Sequence, residues 1–358
     1  MSTPQFETLF RDFRERLDAD MAMLLDYKAR GVATFAPEAV ELVEALRALV
    51  SAGGKRLRPA LVYYAHRACR GADADPVMAV ALAVELLHTY LLVHDDIMDH
   101  AEVRRGLPAS HMTFRRLHRE NRWRGSAKDY GEAVAILVGD LGHAYAVESF
   151  SRALTRTPNA EALQRVFFAM SEEVVAGQHL EMRAGMNRVA DEVELGRVLR
   201  LKSGAYSVER PVELGAVLAG ADDDTLSSLR RYGEAVGEAF QLQDDILGVF
   251  GDLETVGKPV GGDVEEGKFT FLIFHALRSA VPEQREVLER TLGRPDPGPA
   301  EIEAVREIIR DSGALDAVRA MIAERLETAR EAIRGPDLEA EGRAFLEGLI
   351  GFLRERRR

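Results

Sequence analysis

ELLHTYLLVHDDIMD, residues 85–99, is an apolar run that carries a polar stripe. Positions three, four and seven residues apart share one face of an α-helix. One face of such a helix therefore carries Glu85, His88, Leu92, Asp95 and Asp99, with Asp96 beside it. The opposite side offers apolar residues for packing: Leu86, Tyr90, Val93 and Ile97. A polar stripe on an apolar helix indicates a face that borders a cavity. Aspartates this close repel one another unless a cation lies between them.

A second pair of aspartates occurs in FQLQDDILGVFGD, residues 240–252. Its helical stripe carries Gln241, Asp244, Gly248 and Asp252, with Asp245 adjacent. Mg²⁺ binds through a few carboxylates and keeps other positions for water and phosphate oxygens. Two such clusters predict facing helices that hold one diphosphate through bridging Mg²⁺ ions. By contrast, the acids of 221–224 are expected only to begin a helix, where carboxylates cap exposed N–H groups.

Basic residues accompany both clusters in a chain whose formal net charge is −12. Three of them follow a flexible turn in GGKRLRP, residues 53–59, and two more lie in RRG, residues 104–106. Lys258 and Lys268 belong to the Gly-rich stretch after the second cluster. Arg and Lys side chains suit phosphate oxygens. Together these residues predict a second anion site that needs no metal.

The composition bounds the class of protein. The chain has 358 residues, of which 46% are hydrophobic and 30% charged, as in a soluble globular protein with a large core. The net acidity argues against a nucleic-acid surface. The single cysteine, Cys69, excludes an intramolecular disulfide and is expected to be a small buried residue.

The N-terminus does not resemble a signal peptide. The longest apolar run, 79–93, is interrupted by charge and is short for a membrane span. A cytoplasmic protein is expected.

Apolar residues recur with a period near 3.6 along nearly the whole chain, and no alternating strand stands out. The sequence therefore predicts an all-α protein. No Pro/Gly/Ser-rich linker is present, so residues 1–358 are expected to form a single domain. Helices are predicted at 5–30, 36–52, 57–70, 76–103, 128–155, 159–185, 191–220, 223–250, 267–281, 299–312, 314–334 and 338–356. The stretch 110–130, rich in Arg and His, lies almost wholly outside them and is expected to be mobile.

Several motifs, in this order and spacing, resemble those of the trans-type (E-) polyprenyl diphosphate synthases. They are GGKRLRP at 53–59, ELLHTYLLVHDDIMD at 85–99, RRGLP at 104–108, GQHLE at 177–181, KSGAYS at 202–207, QLQDD at 241–245, and GKPVGGD with EEGK at 257–268. The resemblance implies an all-helical bundle around a deep central cavity, usually a homodimer. It implies Mg²⁺-dependent head-to-tail condensation of isopentenyl diphosphate with an allylic diphosphate.

The resemblance also assigns roles to residues. By this resemblance, Mg²⁺ on the allylic diphosphate would be bound by Asp95, Asp99 and Asp244. That cluster would be supported by Asp96 and Asp245. Contacts with the same diphosphate fall to Arg104, Lys202 and Lys258. Binding of isopentenyl diphosphate falls to Lys55, Arg58, His88 and Arg105, with Lys268 closing the site. Stabilisation of the allylic cation falls to Gln241 and the backbone carbonyls of Lys202 and Ser203.

Two positions depart from the family pattern. Gly248 replaces the third aspartate common in the second cluster, and whether Asp252 takes its place stays open. Glu181 stands where many relatives have Asp. Neither position removes a residue on which the expected chemistry depends.

Product length in this family is set by side chains just ahead of the first aspartates. Here these are Tyr90 and Leu91, five and four residues before Asp95. One aromatic and one aliphatic residue resemble geranylgeranyl diphosphate synthases, whereas a farnesyl or a geranylfarnesyl product is the alternative. A class I terpene cyclase also ionises an allylic diphosphate, but it leaves GGKRLRP and His88 unexplained. A non-catalytic partner subunit is expected to lack one of the two clusters.

Overall fold

A computed structural model describes residues 3–72, 75–187, 191–251 and 261–355. The α-helices are α1 Thr3–Ala33, α2 Val40–Ser51, α3 Leu57–Ala68, α4 Asp75–Met98, α5 Ser110–Glu120, α6 Ala127–Leu154, α7 Ala160–Asn187, α8 Glu192–Val198, α9 Arg210–Ala219, α10 Asp223–Phe250, α11 Gly262–Glu266, α12 Phe271–Ser279, α13 Pro282–Thr291, α14 Pro299–Asp311, α15 Ala314–Ala332 and α16 Ala340–Glu355. A 3₁₀ turn spans Pro37–Ala39 and a π-helical segment spans Leu199–Glu209. Two short strands, β1 Val103–Arg104 and β2 Leu107–Pro108, form an antiparallel hairpin.

The all-α prediction is confirmed. Asp222 caps the start of α10 by accepting a hydrogen bond from the Thr225 amide at 2.7 Å, as the acids of 221–224 predicted. The predicted helix 76–103 ends earlier, at Met98, because the chain then turns into the β1–β2 hairpin. The expectation for 110–130 is wrong in its first half: α5 packs there and buries His111, Phe114 and His118.

The described residues fall into two compact units. The first comprises Glu7–Tyr63 and Ala72–Ala160, and the second comprises Met1–Phe6, Tyr64–Gly71 and Glu161–Arg358.

In the first unit, α4 packs along α6 and α5 covers another part of α6. Two glycines of α6 permit this close approach. A Cβ added to Gly139 would overlap the His94 ring, and one added to Gly142 would lie 3.3 Å from the Tyr90 Cβ. The packing fixes the carboxyl end of α4, which carries the first aspartates.

In the second unit, α10 is the central helix and packs against α15 and the π-helical segment. A Cβ on Gly237 of α10 would overlap the backbone of Gly204 in that segment, so glycine is needed there for the two elements to touch. The fully buried Tyr232 donates its hydroxyl hydrogen to the Leu346 carbonyl at 2.8 Å. These contacts fix α10 against the π-helical segment and against α16. Both α10 and the π-helical segment carry predicted site residues.

Two of the described helices, α4 and α6, are long and apolar enough to cross a membrane by length and composition alone. The apolar run 79–93 is short for a membrane span, but it lies within α4, which extends from Asp75 to Met98 and is long enough. In α4, 61% of the apolar window is buried against protein, as in the core helix of a soluble protein. Core helices commonly pass this test, so the finding is weak evidence for a membrane span.

Candidate active site

The first aspartate cluster occupies the last turn of α4 and the residue that follows it. Asp96 is almost fully buried, at 2% exposure, and accepts a hydrogen bond from Arg104 Nε at 2.7 Å. Arg104 Nη2 also forms an ion pair with Asp96 and lies 3.8 Å from Asp95 Oδ2. Arg104 reaches the cluster because β1 follows the helix so closely. The structure thus brings Asp95, Asp96 and Arg104 together, as predicted.

This cluster holds more negative charge than Arg104 alone offsets. Burial raises the pKa of Asp96, and the charge of Asp95 raises it further, while Arg104 lowers it. The C-terminus of a helix is itself the negative end of the helix dipole, where carboxylates are unfavourable. A cation placed among these oxygens would relieve both effects. The donor set, carboxylate oxygens without sulfur, suits Mg²⁺.

A group of basic residues in the same unit lies beside the polar stripe of α4. Arg58 Nη1 lies 3.3 Å from His88 Nε2, and Arg105 donates to the Leu49 carbonyl at 3.0 Å. A Cβ on Gly54 would lie 2.8 Å from Arg105 Nη2, so the glycine makes room for this arginine. Lys55 is exposed next to this group in sequence. The structure therefore brings together Arg58, His88 and Arg105.

The electrostatics of this group suit an anion. Burial lowers the pKa of His88 well below its ordinary value, and the charges of Arg58 and Arg105 lower it further. Burial also lowers the pKa of Arg105, to which the neighbouring arginines contribute. The neutral His88 ring can donate one N–H, while the arginines present planar N–H forks to phosphate oxygens. Such a concentration of positive charge is chemically suited to an anion, with no metal needed to attract it.

Arg56, which sequence reasoning did not single out, holds the GGKRLRP loop in place. It donates to Glu85 at 2.6 Å, to Asp18 at 2.8 Å and to the Val50 carbonyl at 2.6 Å. The Arg56 and Glu85 side chains are each 2% exposed. Glu85 lies on the polar stripe of α4 and Arg56 lies within GGKRLRP, but neither position indicates the other in the sequence.

The second aspartate cluster, in the second unit, borders a small cavity. Its lining includes predicted site residues from three parts of the chain, namely Lys202, Ser203, Gln241, Asp245 and Lys268. Gln241 donates its amide hydrogen to Asp245 at 2.7 Å. Lys202 forms an ion pair with Glu181, the residue noted in the sequence as a departure from the family pattern. Asp244 is partly buried beside Asp245 on α10. Lys258 and Asp252, two further predicted residues, lie outside the described ranges.

Lys202 and Ser203 owe their position to the π-helical segment. A π-helix offsets its side chains from the ordinary helical stripe, and such turns are frequent at functional sites. A Cβ on Gly177 of α7 would overlap the Lys202 backbone, so Gly177 lets the two elements meet. The sequence period gave no signal for this change of helix type.

Charge is concentrated around Asp245. Burial raises its pKa to about 8, with Asp263 adding to the rise and with Gln241 and Lys268 opposing it. The pKa of Lys268 lies well above its ordinary value although burial lowers it, because Asp263, Glu266 and Glu181 are near.

These residues fit a divalent cation with a bound anion. A divalent cation favours the ionised form of buried carboxylates such as Asp245. The buried hydroxyl of Thr270 lines the same cavity and has no hydrogen-bond partner within the described ranges. Within those ranges, no three His, Cys, Asp or Glu side chains form a complete metal site. Mg²⁺ characteristically binds through one or two carboxylates and takes its other ligands from water and phosphate.

The proposed chain-length residues lie one turn before the first cluster. The Tyr90 ring meets the His94 and His143 rings edge-on, with centroids 5.4 Å and 5.1 Å away. Leu91 is partly buried beside it. His143 comes from α6 and was not expected from the sequence, because nothing in its local pattern distinguishes it.

Comparisons with known proteins identify the family of this chain. Residues 39–309 match the family described as polyprenyl synthetase. The chain is 35% identical to a geranylgeranyl diphosphate synthase of Saccharolobus solfataricus over 75% of this chain and 76% of that protein. It is 34% identical to a geranylfarnesyl diphosphate synthase of Aeropyrum pernix over 93% and 99%. A geranylgeranyl pyrophosphate synthase of Corynebacterium glutamicum, solved with isoprenyl diphosphate and magnesium, superposes with a TM-score of 0.92 at 32% identity, covering 97% of this chain and 99% of that one. On this evidence the chain belongs to the polyprenyl synthetase family, whose members transfer prenyl groups.

Proposed function

We propose that this protein condenses isopentenyl diphosphate head to tail with an allylic diphosphate (dimethylallyl, geranyl or farnesyl) in the presence of Mg²⁺. The product is a short all-trans prenyl diphosphate of twenty carbons, geranylgeranyl diphosphate. One observation carries the proposal: the first unit holds both a carboxylate cluster with Arg104 and a separate basic group of Arg58, His88 and Arg105. Two different anion sites imply two diphosphate substrates.

The carboxylate clusters are assigned to the allylic diphosphate. Asp95, Asp99 and Asp244 would hold Mg²⁺, which neutralises the charge of the leaving diphosphate when it is bound. Asp96 and Asp245 support these ligands, since both are buried and hydrogen-bonded. The side chains of Arg104, Lys202 and Lys258 are assigned to contact the same diphosphate. Their positive charges would favour its departure.

Isopentenyl diphosphate is assigned to the basic group. Arg58 and Arg105 supply charge, His88 supplies one N–H, and Lys55 and Lys268 complete the set. Because Arg58 and Arg105 already concentrate positive charge beside His88, an anion bound there would relieve the repulsion between them. The family resemblance supports this division of roles.

The allylic cation formed when the C–O bond breaks needs dipoles without a nucleophile. The Gln241 amide and the Lys202 and Ser203 carbonyls are assigned that role. Water must be excluded from the reacting carbon, because it would convert the cation to an alcohol. The double bond of isopentenyl diphosphate then attacks, and the released diphosphate takes the proton. No side-chain base is required.

The substrate pair can be tested directly with labelled isopentenyl diphosphate and dimethylallyl diphosphate. We expect label to enter an extended prenyl diphosphate, with one inorganic diphosphate released per bond formed, and chelation of Mg²⁺ to stop the reaction. A class I terpene cyclase would consume the allylic substrate and leave the label untouched. A non-catalytic subunit would show no turnover when purified alone.

Product length tests the role of Tyr90. We expect Tyr90→Ala to shift the product toward longer prenyl chains, because the change removes a ring from the floor beneath the growing tail. Tyr90→Phe, which keeps the ring, should leave the product unchanged. Chromatography of the dephosphorylated products measures the outcome. The same chain length in Tyr90→Ala and in the parent protein would remove Tyr90 from this role.

We also propose a cytoplasmic homodimer. The family resemblance supports the dimer, and α6 of the first unit exposes Ile136 and Leu137, at 46% and 52%, as a dimer face requires. Sedimentation of the full-length protein should give the mass of two chains. A single-chain mass at micromolar concentration would contradict the dimer.

A further inference from the structure

Gly248 lies one helical turn after Asp244 on α10, the position at which the family resemblance led us to expect a third aspartate. A Cβ built on Gly248 would overlap the carboxyl group of Asp263, first its Oδ2 and then its Cγ. The Asp263 carboxylate therefore fills the space in which a side chain at position 248 would begin. A carboxylate is present at this point of the cluster, but it comes from a different element.

The backbone holds Asp263 firmly in this position. Asp263 belongs to the short helix α11, Gly262–Glu266, and its carbonyl accepts a hydrogen bond from the Lys268 amide at 3.0 Å. The next residue, Val264, is fully buried, and its carbonyl accepts a hydrogen bond from the Gly293 amide at 2.9 Å. These contacts fix the direction in which the Asp263 side chain leaves the backbone.

Asp263 is mostly buried and lies close to another charged side chain, unlike an exposed surface acid. Its side chain is only 14% exposed, and Lys268 Nζ lies 3.3 Å from Asp263 Oδ1 and 2.8 Å from Glu266 Oε2. Burial is the largest cause of the raised pKa of Asp245, and the charge of Asp263 is the next largest. Asp263 thus shares one electrostatic environment with the second aspartate pair.

We propose that Asp263 supplies the third carboxylate of the second aspartate cluster and that Gly248 is retained because it leaves room for that carboxylate. The proposal rests on the proposed function, in which Asp244 and Asp245 serve a Mg²⁺-bound diphosphate. Asp263 thereby adds a third negative charge to the cluster and lies beside Lys268. Asp252, the other residue considered for this role, lies outside the described ranges.

The test compares four full-length variants by direct binding of Mn²⁺, a spectroscopic substitute for Mg²⁺, to protein saturated with inorganic diphosphate. Asp263→Asn removes the charge at constant shape. Glu265→Gln removes a charge from the exposed side of the same helix and is the matched control. Gly248→Asp adds a carboxylate in conflict with Asp263. The double variant Gly248→Asp/Asp263→Gly moves the carboxylate onto α10.

We expect Asp263→Asn to weaken Mn²⁺ binding by roughly 10-fold or more, the scale for groups that tune a metal site. Glu265→Gln should match the parent, and the double variant should recover most of the lost affinity. Gly248→Asp alone should bind no more tightly than the parent, because its new carboxylate collides with Asp263. Circular dichroism and thermal unfolding identify which variants are folded.

Equal Mn²⁺ affinity in Asp263→Asn and Glu265→Gln would overturn the proposal. So would a folded double variant that binds as weakly as Asp263→Asn, because Asp263 would then act only by pairing with Lys268. If either variant fails to fold, the other still decides the question. Failure of the proposed function is a separate result: the parent protein itself would then consume no isopentenyl diphosphate.

Discussion

Asp95→Asn is expected to lower kcat/KM for the condensation by roughly 10³-fold, the scale for removing one group that stabilises developing negative charge. Asp95 lies at the carboxyl end of α4 with Arg104 Nη2 3.8 Å away, and its side chain is 28% exposed. An amide of the same shape keeps the packing but loses the charge that attracts Mg²⁺. The loss should therefore fall on activity and not on folding.

Steady-state kinetics over a range of Mg²⁺ concentrations measures this effect. Glu102→Gln is the matched control, because Glu102 is an exposed acid only a few residues further along the chain. The control should retain the activity and the Mg²⁺ dependence of the parent protein. Parent-like kcat/KM in Asp95→Asn, or an equal loss in both variants, would remove Asp95 from the metal-binding set.

Arg56→Met is expected to lower the free energy of unfolding by about 3–5 kcal/mol, the range for breaking a buried ion pair. The Arg56 and Glu85 side chains are each 2% exposed and are joined by a hydrogen bond of 2.6 Å. The variant leaves the Glu85 carboxylate buried with its cationic partner removed. It also removes the donor to the Val50 carbonyl.

Chemical denaturation provides the free energies for a comparison of three variants. Arg70→Met is the matched control: Arg70 also has a positive φ, 62° against 53° for Arg56, but it pairs at the surface with Asp337. It should lie within about 0.5 kcal/mol of the parent, as surface substitutions do. The double variant Arg56→Met/Glu85→Leu should be more stable than Arg56→Met, because no buried charge is left unpaired. If Arg56→Met resembles Arg70→Met, the buried pair does not stabilise this fold.

The long helices could be predicted from the sequence because each buries a broad apolar face. Two of the shorter ones, α5 and α13, could not. Helix α13 buries only Leu288 and Thr291, and α5 buries two histidines that a hydropathy pattern treats as polar. The β1–β2 hairpin consists of two residues on each side, too few for an alternating pattern.

The part of the site on α4 could be predicted because its residues share one helix face. The pairs that connect distant positions could not, since nothing local links Arg56 to Glu85 or Gly248 to Asp263. The same holds for the contact between Tyr90 and His143. In each case the missing information is the packing of one element against another, and helix periodicity does not contain it.

The most direct measurement is the product profile of the purified full-length protein, with Mg²⁺, isopentenyl diphosphate and each of the three allylic primers in turn. We expect isopentenyl diphosphate to be incorporated and the products to converge on geranylgeranyl diphosphate. Convergence on farnesyl or geranylfarnesyl diphosphate would correct the product length alone. No incorporation of isopentenyl diphosphate with any of the three primers would contradict the account at its centre.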